Sequence, residues 1–290
     1  MRGLAVGWMV AAVSCGTWAV ECTVSATSVA PSTLYVNGAA SYATGSITAT
    51  CTRQTGDVSR PYIYIGVNQG EPPSGRAMTR QNGTTTLAYE IYHRTYGSGA
   101  WTEGAGVAAT STSSGGVFYR MANSAAPQTT TFTYYIVIPS ATSKPAGIYD
   151  DLAVTATVRL STSGGSNTGA TLALANWGIA ASIQHSCYFS STPAPVVINY
   201  TSFMSAAATA TSFFQVSCTY QTPYTLAIAA PSTGTLLGIN YSLSLGASSG
   251  TGSGLAQTYS IIGSAAGSQA GTCGAGTCSA SRVHTINVVF

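Results

Sequence analysis

The chain has 290 residues, 45% of them apolar but only 6% charged, and 10 Lys and Arg against 7 Asp and Glu leave a net charge of +3. Ordinary soluble domains carry about 25% charged residues, so Ser, Thr, Gly and Tyr must supply most of this surface. With one Lys (Lys144) and no basic run there is no footprint for nucleic acid, and no amphipathic helical pattern of useful length appears.

Residues 1–19 read as a secretory signal. Arg2 supplies the positive start, residues 4–13 the apolar stretch, and Thr17-Trp18-Ala19 a small-x-small cleavage site. Cys15 is a lipidation site in a competing reading, although Ala12-Val13-Ser14 matches a lipobox poorly. No segment is apolar for long enough to form a membrane-spanning helix. Cleavage leaves roughly 270 residues, room for about two domains. It also leaves six cysteines, an even number that reads as disulfides in an oxidising compartment.

Those cysteines divide the chain into two halves of similar plan. Cys22 and Cys51 are spaced nearly as Cys187 and Cys218 are, and SITATCT (46–52) answers SFFQVSCT (212–219). PYIYIGV (61–67) then answers PYTLAIA (223–229), and LAYEIY (87–92) answers INYSLSL (239–245). Leu152, Val154, Ala156 and Val158 alternate in the last strand of the first half, as Ile286, Val288 and Phe290 do in the second. Short alternating strands with Gly/Ser turns predict an all-β chain of two tandem β-sandwiches, about six strands each. The expected boundaries are 1–19 signal, 20–160 first domain, 161–184 linker and 185–290 second domain. Cys273 and Cys278 form a CxxxxC pair; with His284 alone nearby they lack the ligands of a metal site, and a local disulfide is the expectation. No cofactor is expected.

The first half resembles the spore coat protein U domain family of archaic chaperone–usher pili. The resemblance rests on ECTVSAT (21–27), GSITATCT (45–52), RAMTR (76–80), LAYEIYHR (87–94), AWTEGAG (100–106) and KPAGIYDDLAVTATV (144–158). The second half lacks the RxM, Trp-acid-Gly and PAGxYxD elements. The resemblance implies incomplete immunoglobulin-like, pilin-type domains, each completed by a strand donated from a neighbouring subunit. It implies a periplasmic chaperone, an outer-membrane usher and the next pilin subunit as partners. It also implies export through the periplasm to the cell surface, and a role in attachment to host or abiotic surfaces and in biofilm formation.

Between the halves, residues 168–184 alternate apolar with small or polar residues, unlike the Ser/Gly run before them. Leu172, Leu174, Ile179 and Ile183 are the expected contacts of a donor strand acting in cis on the first domain; a plain linker is the alternative. Ile286, Val288 and Phe290 are then the groove-facing residues of an open second domain, filled in trans. Cleavage after Ala19 leaves two residues before Cys22, too few to donate, which places the chain at a fibre tip. Strand parity puts 52–60, the long 96–128 region and 161–167 at the end away from the second domain. Trp101, Val107, Val117, Phe118, Tyr119 and Met121 are the candidate apolar anchors there; Trp101 as a structural residue, and Val117 to Met121 as a core strand, are the competing readings.

An enzyme has little support. The three His are scattered, and the GxSxG at Gly246 to Gly250 lies in a Gly/Ser tract with no helix to follow. Asp150-Asp151 reads as a turn before a strand. The C-terminal Phe290 after an alternating run keeps an outer-membrane barrel open as a rival.

Overall fold

The computed structural model describes residues 20–29, 39–57, 59–68, 75–140, 142–161, 163–274 and 277–290. The expected signal segment lies outside the described residues. No helix occurs among those described, and the chain is all-β.

Ten strands build the first half: β1 (Glu21–Ala26), β2 (Ser41–Thr52), β3 (Tyr62–Val67), β4 (Arg76–Arg80), β5 (Thr86–Thr95), β6 (Ser98–Ala108), β7 (Gly115–Arg120), β8 (Gln128–Ile138), β9 (Gly147–Ser161) and β10 (Thr171–Ile183). They form one sheet folded back on itself. One face runs β1-β2-β8-β5. The other centres on β9, with β3, β7 and β6 on one side and β10 on the other, and β4 joins β5 to β9. Alternation explains the pairing. On β8, Tyr134, Ile136 and Ile138 point inward and are buried, while Thr129 and Thr131 point outward. There they meet Thr50 and Thr48 of β2 through hydroxyl contacts of 2.9 and 3.0 Å. β-Branched residues suit such a pleated, half-buried surface.

Eight strands build the second half: β11 (Cys187–Ser191), β12 (Ala208–Cys218), β13 (Pro223–Ile228), β14 (Thr233–Leu236), β15 (Ile239–Leu245), β16 (Ser249–Thr251), β17 (Ala256–Ala265) and β18 (Ile286–Val289). A five-stranded sheet, β11-β12-β17-β15-β14, faces a three-stranded one, β16-β13-β18. Phe214, Val216, Tyr224, Leu226 and Ile261 are buried between them.

Cys22 pairs in register with Cys51 on β1 and β2, and Cys187 with Cys218 on β11 and β12; both pairs are disulfide-bonded. Cys273 and Cys278 form the third disulfide, in the segment before β18. The halves thus share the opening of one plan, as their cysteine spacing indicated.

Six strands per half is an undercount. The Gly/Ala-rich 96–128 region, read as a long loop, holds β6 and β7. Its glycines permit close packing: a side chain at Gly116 would run into the Tyr64 ring, and Tyr64 donates a hydrogen bond to the Gly104 carbonyl at 2.8 Å. Small residues hide the alternation that marks a strand, and here they hid two.

Candidate functional site

The bridge between the halves is β10, and both of its edges are engaged. It pairs antiparallel with β9, from Thr171 opposite Arg159 to Ile183 opposite Gly147. Its other edge meets the segment after β1. The Val29 N–H donates to the Gly178 carbonyl and the Ala180 N–H to the Val29 carbonyl, each at 3.2 Å, and Gly178 N–H reaches the Ser28 hydroxyl. Trp177, Ile179, Ala181 and Ile183 point into the first core and are buried. Trp177 lies against Tyr134 with ring centroids 5.8 Å apart.

Of the four expected contacts, Ile179 and Ile183 lie in the core and Leu172 packs at its margin. Leu174 does not: it is 62% exposed, beside Thr157 on the outer face. A strand repeats every two residues, so from Ala173 onward Leu174 cannot share a face with odd-numbered Ile179 and Ile183; the register shift between Thr171 and Ala173 exempts Leu172 from that parity. The same parity points to Trp177 and Ala181, which the sequence reading missed. A register shift opposite Trp177 and Ile179 likewise turns Leu152 of β9 outward.

The second half ends differently. β18 pairs with β13 on one edge, and among the described residues no strand pairs with the other. Ile286 and Val288 reach the margin of the second core and are only half-buried. Phe290, expected to face the same groove, lies beyond β18 and is 56% exposed.

At the end of the first half marked by Cys22–Cys51, Tyr62 pairs with both Arg120 and Ser161. The ends of β7 and β9 therefore lie together, and Arg53, just past β2, reaches Asn123, just past β7. The apolar anchors expected here need correcting. Trp101, Val117 and Met121 are fully buried. Trp101 donates its indole N–H to the Ile65 carbonyl at 3.0 Å, and the Met121 N–H is held by the Pro61 carbonyl at 2.9 Å. Val107 is half-buried against Val117. Along β7, Val117 and Tyr119 point inward while Phe118 and Arg120 point outward. Tyr119 packs against Phe132, and burial pushes its hydroxyl up to about 12. Phe118, half-buried edge-on to Tyr62, is the one of the six that faces outward from β7.

The three histidines stand apart. His93 is buried between the Ala109 and Ser113 carbonyls, His185 contacts Thr222, and His284 contacts Tyr241. Asp150 and Asp151 accept hydrogen bonds from Gln81 and Tyr89. Among the described residues, no three His, Cys, Asp or Glu side chains converge as metal ligands would.

Residues 9–157 match the Spore Coat Protein U domain. The chain belongs to that family. No curated protein matches its sequence. Among solved structures, it is similar to a CsuC–CsuE chaperone–tip adhesion subunit complex from archaic chaperone-usher Csu pili of Acinetobacter baumannii, with 16% identity over 93% of this chain and 100% of that chain and a TM-score of 0.47. It is also similar to the CupB6 tip adhesin from Pseudomonas aeruginosa, with 12% identity over 85% of this chain and 89% of that one and a TM-score of 0.41.

The residues this chain shares with the spore coat protein U pattern hold the fold together. Arg76 is buried and ion-paired with Glu90. Its guanidinium also donates to the Asn68 carbonyl at 2.6 Å and the Trp101 carbonyl at 2.5 Å. Burial lowers the Arg76 pKa from its ordinary value, and Glu90 opposes that shift. Tyr149 donates to the Pro145 carbonyl at 2.8 Å, closing the turn before β9, and Arg80 caps the Ala146 carbonyl at 2.6 Å. Glu103 accepts from the Thr157 hydroxyl at 2.6 Å. A buried hydrogen-bond network of this kind favours one packing, although the Arg80 Nε within it has no partner among the described residues.

Proposed function

We propose that this chain is the tip adhesin subunit of a chaperone–usher pilus, mediating attachment and biofilm formation. In this reading, residues 20–160 form the adhesin domain, 161–184 carry its donor strand in cis, and 185–290 form the pilin domain. One observation carries the reading: β10 of the same chain fills the place beside β9, while among the described residues no strand pairs with the second edge of β18, the last strand of the second half. A bare edge with half-buried Ile286 and Val288 invites a strand from another subunit. Until that strand arrives, a periplasmic chaperone covers the edge, and an outer-membrane usher directs the exchange. A subunit whose donor strand is spent internally accepts a neighbour without feeding one, which suits a fibre end. Membership of the spore coat protein U family supports the pilus setting.

Immunogold labelling of this chain on intact pili tests the placement. Gold at the fibre tips is the expected result, and gold spaced along the shafts would sink the tip reading in favour of an ordinary shaft subunit.

A further inference from the structure

The distal end of the first half carries cations rather than bare apolar tips. Arg120 lies over the Tyr62 ring, 5.3 Å from its centroid, and its Nε donates to the Arg60 carbonyl at 3.1 Å. Both arginines are exposed. Arg60 holds a left-handed backbone at φ 61°, a conformation rarely kept by a side-chain-bearing residue without a reason. Its guanidinium has no hydrogen-bond or ion-pair partner among the described residues, and Arg120 uses only its Nε. Arg53 stands at the same end, donating to the Asn123 amide oxygen and the Asp57 carbonyl. Three guanidiniums thus face one local carboxylate, Asp57, which is turned onto the Gln54 N–H at 2.7 Å. Glu21 projects from the opposite face of the sandwich.

Arg120, seated on the Tyr62 ring, and the exposed Arg60, whose carbonyl it holds, bring two guanidiniums to one edge of the sandwich, and arginine grips planar oxyanions through paired N–H donors. Phe118, half-buried beside Tyr62, adds an apolar edge suited to a sugar ring. We propose that this end binds an acidic polysaccharide, with Arg60 and Arg120 on its carboxylate or sulfate groups. The proposal rests on the adhesin reading and gives it a ligand class.

The test uses native pili carrying the full chain, applied to surfaces coated with polygalacturonate, dextran sulfate or neutral dextran. Wild-type pili should be retained on at least one acidic polymer about tenfold better than on dextran. The Arg60→Gln/Arg120→Gln variant should lose that advantage, a fall of about tenfold or more. The two acidic coatings separate carboxylate from sulfate recognition. An Arg94→Gln/Arg282→Gln variant removes the same net charge from exposed sites elsewhere and should bind as wild type. Arg60→Gln alone, altering a side chain without protein partners, should weaken retention while leaving pilus assembly intact. Equal retention on dextran, undiminished binding by the Arg60/Arg120 variant, or an equal loss in the Arg94/Arg282 variant would each overturn the proposal. Pili that hold to uncoated and dextran surfaces alike leave the adhesin reading standing while this one falls. Pili lacking the chain that attach as well as wild type remove the adhesin reading itself.

Discussion

The two halves open alike and close differently. Each begins with a disulfide between paired strands, and each is a sandwich with aromatic inner strands. The first half buries twenty-six apolar side chains in its main cluster among the described residues, the second only six. The strands β9 and β18 show why. Val154, Ala156 and Val158 of β9 are fully shielded because β10 lies beside them, whereas Ile286 and Val288 of β18 stay half-exposed. The second half also lacks the Arg76–Glu90 pair and the Tyr149 turn. Among the described residues β18 has one partner strand where β9 has three, and the core beside it is the thinner.

Removing β10 should erase the difference, and it carries the largest expected effect. Residues 20–184 should express as a soluble unit with a cooperative melt. Residues 20–160 should aggregate, because Val154 and Tyr134 lose the cover of Trp177. Size-exclusion chromatography and a thermal melt of both fragments decide it. Equal folding of the two would show that β10 is only a linker.

Point substitutions sharpen the contrast on a smaller scale. Ile179→Ala removes a fully buried side chain and should cost about 2–5 kcal/mol. Val288→Ala truncates a half-exposed side chain and should cost roughly 1 kcal/mol or less in the isolated chain. Filling the β18 edge with a donor strand should raise that second cost, since Val288 would then be covered as Val154 is now. Urea unfolding with and without the bound strand measures both. An Ile179→Ala cost no larger than that of Val288→Ala would break the comparison.

Much of this was legible in the chain. The cysteine spacing gave the disulfides, the alternation gave the all-β plan, and the apolar pattern before Cys187 marked a strand. What failed did so for physical reasons. Leu174 was grouped with Ile179 by hydrophobicity alone, against the two-residue period that sets which face each occupies. Trp101, Val117 and Met121 are buried as their structural and core-strand readings have it, and the loop reading of 96–128 fails because the Gly and Ala around them conceal alternation. Those glycines instead let β6 and β7 close over Tyr64. The distal arginines were missed because neither lies in a motif: Arg60 and Arg120 are far apart in sequence and meet only when Tyr62 pairs with Arg120.

The smallest expected effect separates the halves by alkaline pH. Burial raises the pKa of Tyr64, Tyr89, Tyr92, Tyr119, Tyr134 and Tyr149 in the first half, and of Tyr224 in the second. For Tyr89 a hydrogen bond to Asp151 at 2.7 Å adds to the shift, and for Tyr224 its contact with Tyr259 does. An unfolded tyrosine releases its proton near pH 10, while these hold theirs to higher pH. Above pH 10 the unfolded chain therefore binds fewer protons than the folded one, and stability falls as pH rises. Below pH 10 both states keep the proton and these groups contribute no slope. Six such tyrosines against one should make the loss between pH 10 and 12 steeper for residues 20–184 than for the second half held with a donor strand. Urea midpoints across that range provide the measurement, with absorbance at the phenolate band tracking ionisation. Phenolate absorbance of the full first-half complement of tyrosines by about pH 10, while that half stays folded, would show that the buried hydroxyls reach water freely and would remove the proposed slope.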